Sequence, residues 1–210
     1  MIGHNNGPPL GDITDVGGVA RLYYWRKAHK AAWRTPPIEI VKLRHRAAEQ
    51  LGISYKDYTS ILLDRGRRPC AIFFDLAGAL VRVRNREIDT DRDGAVTLMP
   101  GVRRKLHRLG DCSVFVIASQ ASQTRDTVED FIRQVNDSCG GNLTDFAIGT
   151  KMRDPSHRMV NDLLEKHRIP PSQAILVGDT VEAEKCAEAA KLARFFWAWH
   201  YFGENFAATA

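Results

Sequence analysis

From Cys70 onward the chain alternates between two hydrophobic rhythms. Short unbroken apolar runs such as "AIFF", "VFVIA" and "AILV" are separated by stretches in which apolar residues recur every three or four positions. An unbroken run of that length fits a strand buried on both faces, and the longer period fits an amphipathic helix. The pattern predicts strands over 71–74, 113–118, 146–148, 174–177 and 194–197, with helices over 101–109, 124–135, 156–167 and 183–192. Strict alternation of this kind builds an α/β fold with a Rossmann-like, doubly wound parallel sheet.

Upstream of Cys70 only the helical period is present. Leu22, Trp25, His29 and Trp33 mark a helix over 19–34, stopped by "TPP". A second helix begins near Pro37, carries Ile40, Val41, Leu43, Ala47, Ala48 and Leu51 inward, and ends at Gly52. Ser54 is placed to cap a third, with Tyr58, Ile61 and Leu62 on its apolar side. The chain thus divides into a flexible polar arm (1–16), a small helical module of three helices (17–68) and the α/β domain (69–210).

Composition narrows the class further. With 210 residues and 44% apolar content the chain supports one well-buried domain and an appendage. No apolar run is long enough to span a membrane, and "MIGHNNGPPL" lacks the charged start and apolar middle of a secretory signal, so the expectation is a cytoplasmic protein with no membrane partner. Cys70, Cys112, Cys139 and Cys186 show no paired spacing and read as thiols rather than as a disulfide frame or zinc site.

Charge is uneven: residues 1–68 carry 12 Lys/Arg against 6 Asp/Glu, residues 69–210 carry 18 against 19. The basic excess of the helical module raises two expectations. "AAEQLGISYKDYTSIL" fits a helix-turn-helix spacing, with Lys42, Arg44, Arg46, Lys56 and Arg65 available to nucleic-acid phosphates. The favoured alternative is a structural extension packed on the α/β domain. The aromatic run Trp197, Trp199, Tyr201 and Phe202 around His200 is the surface it would cover, unless a second subunit covers it in a homodimer.

Candidate chemistry sits at two strand ends. "AIFFDLAGALV" delivers Asp75 from a buried strand, followed by Gly78, and "QAILVGDTVEAEKC" delivers Asp179 just after Gly178, with Glu184 beyond. Carboxylates at the carboxyl ends of parallel strands suit a metal and phosphate site. "DTDRDG" at 89–94 imitates the start of a calcium loop, but its twelfth position is Pro100 where a glutamate is needed, so it reads as an Asp-Gly hairpin turn.

The order of these motifs resembles the haloacid dehalogenase superfamily, dominated by magnesium-dependent phosphatases, over the last two-thirds of the chain. The resemblance implies Asp75 as the nucleophile that forms an aspartyl-phosphate. It implies a Mg2+ site made by Asp75, the backbone carbonyl of Ala77, Asp179 and Glu184. It implies phosphate binding by Ser119 in "VFVIASQAS", with Ala118 as the alternative occupant of that slot, and by Lys151, with Arg153 and Arg158 as alternatives because Asp154-Pro155 stands where a lysine-proline pair is usual.

The first motif is degenerate. Ala77 replaces the second aspartate, which in the family protonates the leaving group, and Ala79 replaces a threonine. Only about thirty-five residues separate the first two motifs, which leaves no room for a large cap and implies an open site for a phosphorylated, even large, substrate. Ala77 divides two expectations: a phosphohydrolase that is weak or inactive for want of its general acid, and a catalytically silent domain that binds a phosphorylated ligand, a protein or a nucleic acid.

Overall fold

The computed structural model describes residues 19–20, 22–27, 36–81, 83–84, 87–88, 96–99, 101–109, 112–118, 125–149 and 157–203. These form two compact units, Met1–Arg44 and His45–Ala210. In the first, residues 22–27 are helical and α1 (Ile38–Gln50) begins; Tyr23 meets Tyr24 edge to face at 5.6 Å, and Lys42 pairs with Glu39 at 3.3 Å. The arm and the positions of His29 and Trp33 lie outside the described residues.

The second unit is built on five strands: β1 (Ala71–Asp75), β4 (Ser113–Ala118), β5 (Leu143–Ile148), β6 (Ala174–Gly178) and β7 (Arg194–Trp197). They lie side by side in the order β5-β4-β1-β6-β7, every pair parallel. This is the Rossmann-like α/β architecture that the alternation predicts. After β1 the chain adds β4 and β5 on one side, then crosses back to place β6 and β7 on the other. The boundary between β1 and β6 is therefore the point where strand order reverses, and ligands in open α/β sheets bind outside the strand ends at that point.

Residues of each strand alternate between two cores. Ile72, Phe74, Val116 and Val177 face one side, and Phe73, Phe115, Ile117 and Leu176 the other. The first side is covered by the end of α1, by α2 (Tyr55–Arg65), α3 (Val102–Leu106), α4 (Arg125–Cys139) and the short α7 (Ala198–Phe202). The second is covered by α5 (His157–Lys166) and α6 (Val181–Ala189). A short hairpin of β2 (Val83–Arg84) and β3 (Glu87–Ile88) follows β1, just upstream of 89–94, which lies outside the described residues.

The division between the two units falls at Arg44 and His45. Packing ties this stretch to the sheet: Ala48 of α1, Leu51 in the turn after it, and Tyr58 and Ile61 of α2 are buried in the same core as β1 and β4. Full burial of such side chains contributes on the order of 2 kcal/mol each, enough to hold α2 on the sheet. Ser54 caps α2 as its spacing predicts, its Oγ accepting from the Asp57 N–H at 3.0 Å. Arg65, one of the candidate phosphate contacts, instead donates to the Leu192 carbonyl at 3.0 Å.

Gly52 closes the turn between α1 and α2 at φ +65°, where the Ile53 N–H reaches the Ala48 carbonyl. A Cβ here would stand 2.7 Å from the Tyr201 hydroxyl, which donates to the Leu51 carbonyl at 2.8 Å. The aromatic carboxyl-terminal segment is thus docked on the end of α1, with Phe74 against both Tyr201 and Phe202. Among the described residues no helix is long and apolar enough to cross a membrane.

Candidate active site

Asp75 is the last residue of β1 and pairs in register with Ile117 of β4. The chain leaves it through a single wide turn, Leu76–Leu80, closed by the Val81 N–H on the Leu76 carbonyl at 3.1 Å. Turns with this i to i+5 closure are rare and concentrate at functional sites. Small residues Ala77, Gly78 and Ala79 let the turn sit tightly over the strand end, and Ala79 and Leu80 are fully buried beneath it.

The carboxylate of Asp75 is 3% exposed, the one charged side chain in the core among the described residues. Burial pushes its pKa up to about 7; the Ala77 backbone N–H donates to it and opposes that rise, while the negative charge of Asp179 adds to it. Among the described residues its Oδ1 has no hydrogen-bond partner. A buried carboxylate oxygen without a donor costs free energy unless something positive meets it.

Asp179 follows β6 across the switch point, on the exposed turn that leads into α6. Partial desolvation raises its carboxyl pKa above the ordinary range. Its position depends on Gly178, where a Cβ would stand 2.8 Å from the Ala183 Cβ, so only glycine lets α6 pack this closely on the strand end. Thr180 caps α6, its Oγ1 accepting from the Ala183 N–H at 3.1 Å.

Two carboxylates at neighbouring strand ends, one of them with an unsatisfied oxygen, fit a hard divalent cation, which takes oxygen ligands. The fit is with Asp75, Asp179 and the Ala77 backbone. Among the described residues no group of three or more His, Cys, Asp or Glu side chains is gathered to hold a metal; Glu184 lies in the first turn of α6. Ser119 and Lys151 lie outside the described residues; β4 ends at Ala118, whose carbonyl accepts from the Gly149 N–H at 2.8 Å. The wide turn after Asp75 was not read from the sequence, although the run of small residues "AGA" is the signal that permits it.

No family model matches the sequence, and no curated protein matches it. Solved structures do. D,D-heptose 1.7-bisphosphate phosphatase from B. bronchiseptica, complexed with magnesium and phosphate, superposes with a TM-score of 0.53 at 16% identity, over 67% of this chain and 86% of that one. The fold is shared with that phosphatase. A superfamily hydrolase from Geobacter sulfurreducens is also similar, with a TM-score of 0.46 at 16% identity over 64% of this chain and 93% of that one. So is CbbY from Rhodobacter sphaeroides in complex with phosphate, at 0.45 and 15% over 61% and 85%. At such identities the likeness is one of fold.

Proposed function

We propose that the protein is a magnesium-dependent phosphohydrolase that acts on phosphate monoesters through an aspartyl-phosphate on Asp75. The observation that carries this reading is the Asp75 carboxylate itself: buried at the switch point, beside Asp179, with one oxygen left without a donor. The heptose bisphosphate phosphatase of the same fold, with its magnesium and phosphate, supports it.

Asp75, Asp179 and the Ala77 carbonyl would hold the cation. When bound, magnesium supplies positive charge that lets a carboxylate approach an anionic phosphoryl group. An Asp75 oxygen then bonds to phosphorus as the bond from phosphorus to the ester oxygen breaks, and the leaving group departs with that electron pair. Ala77 has no proton to give, so the leaving alkoxide takes one from water. Water next attacks the phosphorus of the aspartyl-phosphate, releasing phosphate and restoring the Asp75 carboxylate. Ser119 and Lys151 are assigned to the phosphoryl oxygens by the family resemblance of the sequence.

The test compares an alkyl phosphate with p-nitrophenyl phosphate in magnesium. Asp75→Asn should lose at least about 10³-fold on both, as removal of a nucleophile does. Ala77→Asp should gain at least about tenfold on the alkyl ester and less on the aryl ester, whose leaving group needs no proton. Activity unchanged in Asp75→Asn would sink the reading. A folded Ala77→Asp protein without gain on either ester would favour the second reading, a silent domain that binds a phosphorylated ligand.

A further inference from the structure

A cavity of about 1070 Å3 opens among the α1–α2 turn, the first turn of α2, α3 and α7, and none of its lining residues belongs to the candidate active site. Five cations line it: Arg46 from α1, Lys56 from α2, Arg104 and Lys105 from α3, and Arg108 just beyond. Glu49 and Asp57 are the two acids on the same walls, so the lining carries a net +3. The unit from His45 to Ala210 as a whole has 23 Lys/Arg against 22 Asp/Glu. Positive charge is therefore concentrated here by folding, from segments about fifty residues apart in the chain.

A solvated basic surface would disperse its charges or pair them. Here, among the described residues, Arg46, Lys56, Arg104 and Arg108 make no ion pair. The acids are engaged elsewhere. Glu49 faces His45 at 3.3 Å, while Asp57 accepts from the Ser54 hydroxyl at 2.6 Å and lies 3.7 Å from Arg194. Lys105 is fixed in the wall, its ammonium donating to the Gly52 carbonyl and lying 4.8 Å from the centre of the Tyr201 ring. Burial, with the charges of Arg108 and Arg104, lowers its pKa, as expected where positive potential is unrelieved. Beside the cations the exposed His200 ring lies parallel to Phe196, 6.3 Å between centres and 7° between planes, a flat face for a heterocycle.

We propose that this cavity binds a small ligand carrying two or more phosphate groups, of the size and shape of a nucleoside polyphosphate. Closely spaced phosphates match guanidinium groups that have no carboxylate of their own. The volume is that of a small-molecule site, and the cations line a concavity rather than a ridge, which favours a compact anion over a duplex backbone.

The experiment is calorimetric titration of the full chain with ATP, pyrophosphate and AMP in EDTA, so that the metal-dependent site is not recruited. ATP and pyrophosphate should bind, AMP more weakly. R104E/R108E, two exposed positions, should weaken ATP by at least about tenfold. D75N should leave binding intact, and R104E/R108E should leave phosphatase activity intact, so this proposal and the phosphohydrolase reading fail separately. If R104E/R108E does not fold, R46Q/R108Q replaces it. No binding of ATP or pyrophosphate at about 1 mM, equal affinity in the arginine variants, or loss in D75N instead would overturn the proposal. So would tighter binding of a short DNA duplex that is lost in the same arginine variants, since that would make the surface a nucleic-acid face.

Discussion

Asp75 and Asp145 stand on strands of one sheet, and their carboxylates meet opposite surroundings. Asp75, in the central strand, has an oxygen without a partner among the described residues and a negative neighbour in Asp179. Asp145, on the edge strand β5, has partners on both oxygens: Lys166 at 2.6 Å, His167 at 2.8 Å and the Phe146 N–H at 2.9 Å. Burial pushes the Asp145 carboxyl up, but the hydrogen bonds from Lys166, His167 and Phe146 outweigh it and leave its pKa below the ordinary range. Asp75 moves the other way. One carboxylate supports the fold, and the other is held ready at the fold's expense, as expected of a group whose partner arrives from solution.

The largest effect should come from relieving Asp75. Between the unfolded carboxylate value of 3.8 and about 7, the folded chain holds a proton on Asp75 that the unfolded chain does not. Stability from this group is therefore full below the unfolded value and is lost as pH rises through the folded one. Asn keeps the shape without the charge. In EDTA, Asp75→Asn should gain stability over wild type as pH rises from 4 to 8, with a ceiling of roughly 4 kcal/mol. Thermal melts across that range read it; a difference that stays constant with pH would mean Asp75 is not buried as a strained acid.

A cation should close the gap between the two aspartates from the other side. At a concentration one hundred times its dissociation constant, magnesium adds about 2.7 kcal/mol to wild type. Asp75→Asn and Asp179→Asn should each lose most of that melting shift. Glu184→Gln should lose less, because Glu184 lies in the first turn of α6, five residues beyond Asp179. A shift lost in Glu184→Gln would restore the four-ligand set implied by the sequence resemblance.

What was legible in the sequence follows from how local each cause is. The five strands were readable because strands buried on both faces must be apolar throughout, and Asp75 and Asp179 because a carboxylate closing such a run has no role in the core. The burial of Tyr58 and Ile61 was less legible, since it is made against strands distant in the chain, while the composition change at Pro69 is local. So was the cavity: "RRKLHR" at 103–108 is visibly basic, but its convergence with Arg46 and Lys56 exists only after folding. The helix-turn-helix spacing around Gly52 was real as geometry and ambiguous as function, because the same inward positions serve to dock a helical hairpin on a sheet.

The smallest effect tests the supported carboxylate. Asp145→Asn keeps the shape and the acceptor but removes the charge that Lys166 and His167 meet. Lys166 is 64% exposed, so solvent screens much of its attraction, and His167 at 25% is the better shielded partner. The expected loss is about 1 kcal/mol near neutral pH, below the usual worth of a hydrogen bond to a buried charge. Its sign is opposite to that of Asp75. A carboxyl held below its ordinary value contributes stability that is present above the unfolded value and disappears as pH falls through the folded one. The Asp145→Asn deficit should therefore shrink on acidification below about pH 4, whereas the Asp75→Asn gain shrinks on approach to that same pH. Melting curves of the two variants against wild type, at three pH values in EDTA, would separate them. A deficit in Asp145→Asn that persists at pH 3 would place its origin in packing against Phe115 and His167, whose rings lie 4.8 Å apart, rather than in charge.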